Sequence, residues 1–230
     1  QDIEAQVAAN RVGQRRLQEL VQQWGWPPVA AYCRHLQDSS AEHTQAWLRE
    51  MPNGHRVFQD QLDCGLQIVL SVNINDGSAV FDFSGTSATA GNNFNTNPAI
   101  VVSAILYCLR LMIGVSIPLN QGVLRPIELI LPVCFLNPLG GRLKRSTEEQ
   151  GSSITARKLP AVGGGNVETS QRIVDVVLGA FQVAAASQGT MNNLLFGDES
   201  FGFYETMGGG TGATPNGPGT DAIHSHMTNT

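Results

Sequence analysis

GLQIVLSVNINDGSAVFDF, residues 65–83, decides the fold class. Residues 65–73 alternate between apolar and polar side chains, as a half-buried strand does, and residues 79–83 alternate again. Between them Asn75-Asp76-Gly77 is a strong turn signal, because Asp-Gly tolerates the left-handed backbone of a two-residue hairpin loop. The stretch therefore predicts a β-hairpin.

Upstream the texture is helical. Ile3, Val7, Leu17, Leu20 and Val21 recur between Arg11, Arg15, Arg16 and Glu19, which predicts an amphipathic helix over 2–24 ended by Gly25 and Pro27-Pro28. A second helix over about 28–50 offers Val29, Tyr32, Cys33, Leu36, Trp47 and Leu48 as core contacts, and Pro52-Asn53-Gly54 stops it. Downstream, residues 85–98 are polar and irregular, residues 99–113 read as a mostly buried helix ending at Gly114, and residues 127–131 read as a short strand. A further helix spans 169–186, with Ile173, Val176, Val177, Ala180 and Phe181 on its apolar side, before Gly-rich loops and strand-like pieces at 194–196 and 201–206. The class is α+β, with mixed helices, antiparallel strands and Gly-rich loops, and room for two subdomains. Residues 1–137 form a helical pair, hairpin and buried helix; 138–160 is a charged Gly/Ser-bearing loop or linker; 161–230 is the Gly-rich, site-bearing part.

Composition narrows the function. The chain has 230 residues, 42% hydrophobic and 14% charged, which suits a packed core and excludes a disordered tail. A net charge of −5 gives no reason to expect nucleic acid or an anionic membrane as partner. Residues 99–115, the most apolar run, are too short to span a bilayer comfortably. Cys33, Cys108 and Cys134 sit in apolar surroundings and read as buried free thiols, whereas Cys64 reads as turn-exposed; a reducing compartment follows. No secretory start is visible, and both ends look cut, as in an internal piece of a larger subunit.

Three polar motifs could carry chemistry. Residues 163–171 (GGGNVETSQ) sit where a loop enters a helix. The glycines and free N–H groups could cradle a phosphate, or Asn166, Glu168 and Thr169 could simply cap the helix. No Walker A lysine follows, and the dinucleotide fingerprint is absent. Glu205, ahead of Gly208-Gly209-Gly210-Thr211-Gly212, could act as a general base or satisfy the loop's own amides. His224-Ser225-His226 on an extended strand would place both imidazoles on one side, to share proton transfer, to bind a metal, or only to pack. His35, His43 and His55 lack such partners. The two glycine loops, 163–171 and 204–212, are expected to approach one another, with Asn166, Glu168, Thr169, Asn192, Asn193 and Glu205 near a common cleft and His224, His226 and Asn229 in the site lining.

The segments DIEAQVAANRVGQRRLQEL (2–20), VFDFSGT (80–86), IPLNQGVLRP (117–126), GGNVETSQR (164–172), ASQGTMNN (186–193), YETMGGGTG (204–212) and IHSHMTNT (223–230) together resemble the hydantoinase B/5-oxoprolinase family, which is also similar to a large subunit of acetone and acetophenone carboxylases. The resemblance implies a cytoplasmic, ATP-dependent hydrolase of cyclic amides, opening a lactam or hydantoin ring within a hetero-oligomer. The candidate catalytic groups are Glu205, His224 and His226, and the candidate substrate-binding groups are Asn166, Glu168, Thr169, Asn192 and Asn193. ATP is expected on a hydantoinase A-like partner subunit or domain, and any divalent metal would draw its ligands mostly from outside this chain. A carboxylase subunit and a non-catalytic scaffold or subunit-contact segment are the alternatives.

Overall fold

A computed structural model describes residues 2–140 and 159–226. Helix α1 (Asp2–Trp24) and helix α2 (Trp26–Glu50) are separated only by Gly25, at φ 80°. Pro27 and Pro28 lie in the first turn of α2, where their missing N–H groups cost no helical bond. Strand β1 (Gly54–Gln61) pairs antiparallel with β2 (Gln67–Asn75), which pairs antiparallel with β3 (Ser78–Asp82). The predicted turn holds: Asn75 opposes Ser78, and Asp76 and Gly77 take φ of 40° and 81°.

Helix α3 (Pro98–Ile113) begins at Asn97, whose side chain accepts from the N–H groups of Ala99 and Ile100, and ends at Gly114 in the left-handed region. It carries the chain across the sheet to strand β4 (Ile127–Ile130), which joins β3 in parallel. The antiparallel expectation is corrected at this strand, because a crossover helix returns the chain in the same direction. Helix α4 (Ser170–Ala180) lies on the same sheet, and β5 (Asn193–Gly197) and β6 (Gly202–Thr206) form a separate antiparallel hairpin.

The core lies between the sheet and α4, with α3 packed on α4. Ile68, Leu70, Val72 and Ile74 on β2 are buried in strict alternation, in one cluster with Val176 and Val177 of α4 and with Ile105 and Leu109 of α3. Residues on both sides of the 138–160 stretch thus enter one core; most of that stretch lies outside the described residues. Phe81 and Trp47 both pack on Phe181, at ring-centroid distances of 5.9 and 5.4 Å.

Two expectations change, and one strand appears that the sequence pattern does not announce. Cys33, Tyr32 and Leu36 are exposed, because α2 buries only Ser40, Thr44, Trp47 and Leu48 near its C-terminal half. Helix α4 stops at Ala180 rather than continuing to 186, since Gln182 turns the chain at φ 56°. β1 went unpredicted because its sequence, GHRVFQDQ, has no apolar alternation; as an edge strand it takes its conformation from the ladder to β2. Among the described residues, no helix is long and apolar enough to cross a membrane.

Candidate functional site

The site is built on the N-terminal half of α4, and an asparagine-rich loop holds that end in place. Asn95 is fully buried, donates to the carbonyls of Ala90, Asn92 and Ala161, and accepts from the N–H of Ala90. Gly164 and Gly165 lie so close to this loop that a Cβ on Gly165 would sit 2.6 Å from the Asn95 carbonyl. Thr169 Oγ1 donates to the Phe94 carbonyl at 2.6 Å. Close backbone approach therefore accounts for these glycines.

The capping reading of the 163–171 motif is corrected. Residues Gly165–Thr169 form a π-helical turn with no side-chain cap. The N–H groups of Gly164, Gly165, Glu168 and Thr169 donate to the carbonyls of Asn93, Val162 and Gly164, so these four amides are already engaged within the chain. Capping fails because the side chains are used elsewhere: Glu168 accepts from Thr190 Oγ1 at 2.6 Å, and Thr169 turns to Phe94.

From that anchored end, the polar residues of α4 gather three loops. Asp175, almost wholly buried, accepts from the Ser187 N–H at 2.9 Å and from Ser187 Oγ at 3.4 Å. Arg172 pairs with Asp60 on β1 at 2.9 Å, and Gly189 packs against its guanidinium. Gln171 Nε2 donates to the His226 carbonyl at 2.7 Å. The loops also bond to one another. The Met207 N–H donates to the Asn192 carbonyl, the Gly210 N–H to the Ile223 carbonyl, and Ser225 Oγ to the Gly210 carbonyl. The two glycine-rich segments thus meet through residues 187–193 and 223–226. A cleft of about 80 Å³ opens beside them, lined by Asp63, Cys64, Phe94, Glu168, Arg172 and Thr190.

His226 closes the arrangement. Its Nε2 lies 3.7 Å from Asp175 Oδ1, and its Nδ1 is 3.1 Å from the hydroxyl of Tyr107 on α3. Burial lowers the pKa of the imidazole, and the Asp175 charge opposes that shift. Burial raises the pKa of Asp175, held back by the Ser187 hydrogen bonds, then by His226 and Arg172. Tyr107 is raised by burial and by Cys108 beside it. A neutral imidazole suits this geometry, with the Nε2 proton toward Asp175 and Nδ1 accepting from Tyr107.

The expected histidine face is corrected. Residues 223–226 form no strand, and His226 sits at φ 58°, so the period-two argument does not apply. His224 is exposed, Ser225 is buried, and His226 turns inward. Glu205 is exposed on β6 opposite Leu194, so the buried base beside glycine amides is corrected too. Asn166 is exposed; Asn192 is a turn residue at φ 53°; Asn193 Oδ1 accepts from Tyr204 and Thr206 within the hairpin. Asn229 lies outside the described residues.

Sequence reasoning missed Asp175, Arg172, Gln171, Ser187 and Tyr107. One signal was present: Asp175 interrupts the apolar run Ile173-Val174-Asp175-Val176-Val177, and a carboxylate there must find partners. Among the described residues, no three His, Cys, Asp or Glu side chains gather as metal ligands. Asp175 and His226 make two at most, so the residues present do not form a metal site by themselves.

The sequence pattern of the family described as hydantoinase B/oxoprolinase matches residues 1–230. The chain is 41% identical to 5-oxoprolinase 1 of Arabidopsis thaliana over 245 residues, covering 100% of this chain and 18% of that protein. It spans under a fifth of that relative's length. Among solved structures it resembles the ATP-dependent caprolactamase from Pseudomonas jessenii, with TM-score 0.71, 22% identity, and coverage of 96% of this chain and 39% of that one. It also resembles an acetone carboxylase, with TM-score 0.67, 16% identity, and coverage of 90% and 30%. These two likenesses are likenesses of fold.

Proposed function

The chain belongs to the hydantoinase B/oxoprolinase family, and from that premise we propose that it supplies one wall of a site where an ATP-dependent enzyme opens a cyclic amide. The observation that carries this reading is the line Tyr107–His226–Asp175, held by Ser187 where the three loops meet. Ring opening requires water to lose a proton as it adds to the activated carbonyl carbon, and the ring nitrogen to gain one as the C–N bond breaks. ATP, bound on a partner domain or subunit, activates the amide oxygen.

The residues of this chain handle the proton and the pose. Burial keeps His226 uncharged at neutral pH, so Nδ1 can take a proton when water or substrate replaces the Tyr107 hydroxyl. Asp175 and Ser187 hold the ring and stabilise the imidazolium that forms. Glu168, Thr190 and Arg172 line the neighbouring cleft, which His226 itself does not line, and their proposed role is to orient a polar ring there. Glu205 and His224, both exposed, enter the reading as contacts for whatever covers the hairpin and loop.

A substrate-dependent ATP hydrolysis assay on the full enzyme tests this. Stimulation by 5-oxoproline, hydantoin or a lactam is expected. Stimulation only by a ketone with bicarbonate would replace the hydrolase with the carboxylase reading.

A further inference from the structure

We propose that Gln171 is a positioning residue for His226: its carboxamide fixes the backbone of the residue whose ring Asp175 holds. The proposal rests on the proton-handling reading of His226. Gln171 is 1% exposed on α4, and its Nε2 donates to the His226 carbonyl at 2.7 Å. The other end of the same amide, Oε1, is buried with no hydrogen-bond partner. An unpaired buried acceptor is unfavourable, and an apolar side chain of the same length would fill this volume without one. Packing alone therefore does not favour a carboxamide here, and the donor does. The group it meets is a carbonyl, which only a donor satisfies.

Spacing along the helix turns this bond into half of a clamp. Gln171 and Asp175 lie four residues apart on α4, so their side chains leave one face a turn apart. The first grips the main chain of His226, and the second lies 3.7 Å from Nε2 of its ring. A ring held at one point swings about its side-chain torsions. Held at main chain and ring together, it keeps Nδ1 toward the Tyr107 hydroxyl at 3.1 Å. The base of the clamp is fixed as well, because Thr169, two residues before Gln171, is bonded to the Phe94 carbonyl.

The backbone grip acts on a conformation that needs one. His226 stands at φ 58°, in the left-handed region, which a residue with a Cβ keeps only when its surroundings hold it there. Ser225 ties the preceding residue to the Gly210 carbonyl, and Gln171 ties His226 itself. Relaxation to negative φ would redirect the ring away from Asp175.

The test is modification by diethyl pyrocarbonate of the full enzyme that carries residues 1–230, read residue by residue by mass spectrometry. His224, exposed two positions earlier, is the internal reference. In the wild type His226, whose side chain is 11% exposed, should react more slowly than His224. In Gln171→Met the His226 rate should rise at least about tenfold. Ile173→Val, which loosens the buried core side of the same helix, should leave that rate unchanged. Gln171→Leu serves if the longer side chain overpacks the site. An unchanged His226 rate in a folded Gln171 variant, or an equal rise in Ile173→Val, would overturn the proposal. In turnover, Gln171→Met should lower kcat at least about tenfold with little change in KM. Wild-type kcat in Gln171→Met where His226→Ala loses it would also overturn the proposal. Wild-type kcat in both variants, with His226 freed to react, would sustain the clamp and count against the proton-handling reading instead.

Discussion

Strands β2 and β3 fold over Asp76-Gly77 and bury Ile68, Leu70, Val72, Ile74 and Phe81, while β5 and β6 fold over residues 198–201 and leave Leu195, Phe196 and Tyr204 more than half exposed. Both hairpins obey the same local rules. The second also has its own turn chemistry: Asp198 accepts from the Ser200 N–H and hydroxyl, hydrogen bonds that hold its carboxyl below the usual range. It has its own aromatic stack, Phe196 on Phe203 at 4.8 Å. What differs is cover. Two helices lie on the first hairpin, and a two-stranded ribbon alone is marginal in water. Local pattern writes a hairpin, and the rest of the molecule decides whether it carries stability.

The largest expected effect follows directly. Phe81→Ala should cost about 3–5 kcal/mol in urea denaturation, by lost burial and an unfilled cavity beside Phe181. Phe203→Ala should cost less than about 1 kcal/mol. Equal losses would break the comparison and mean that the second hairpin is covered in solution.

The same contrast explains what was legible in the sequence. The β2–β3 hairpin, both N-terminal helices and α3 were readable because apolar spacing and turn residues act within a few positions of one another. β1 was not, since an edge strand with polar residues on both faces exists only by pairing with β2. The site was half legible. His226 stood out as a residue type, but its partners Tyr107 and Asp175 lie 119 and 51 positions away along the chain. Its inward turn depends on a left-handed backbone that no periodicity announces. The glycines of 163–165 invited a phosphate reading because sequence does not show that Phe94 and Asn95 press against them.

A smaller effect sharpens the contrast at the level of turns and caps. Asn97→Ala removes the side-chain acceptor for two N–H groups at the start of α3 and should cost about 1 kcal/mol. Ser200→Ala, in the exposed turn, should stay within about 0.5 kcal/mol.

The buried pair gives a pH signature that the exposed hairpin lacks. His226 has its pKa lowered on folding, so its contribution is fully present above the ordinary value of 6.5 and is lost as pH falls below it. Asp175 is shifted the opposite way, raised from 3.8, and that shift acts against the folded state as pH rises through the acidic range. Thermal melts from pH 8 down to 5 should therefore show the wild type losing stability relative to His226→Gln. Parallel curves would contradict a buried neutral imidazole. At the exposed end of the scale, Glu205→Ala should leave turnover of the full enzyme within roughly threefold of wild type. A large loss would return Glu205 to the chemistry and require a partner over the hairpin.

The most direct test of the central claim is turnover of the full enzyme on its cyclic amide after His226→Ala and, separately, Asp175→Asn. If the loops converge on α4 to place a proton-handling imidazole, each substitution should lower kcat by roughly 100-fold with little change in KM. If both variants keep kcat within roughly threefold of wild type, the Tyr107–His226–Asp175 line only braces the loops, and the chemistry lies elsewhere.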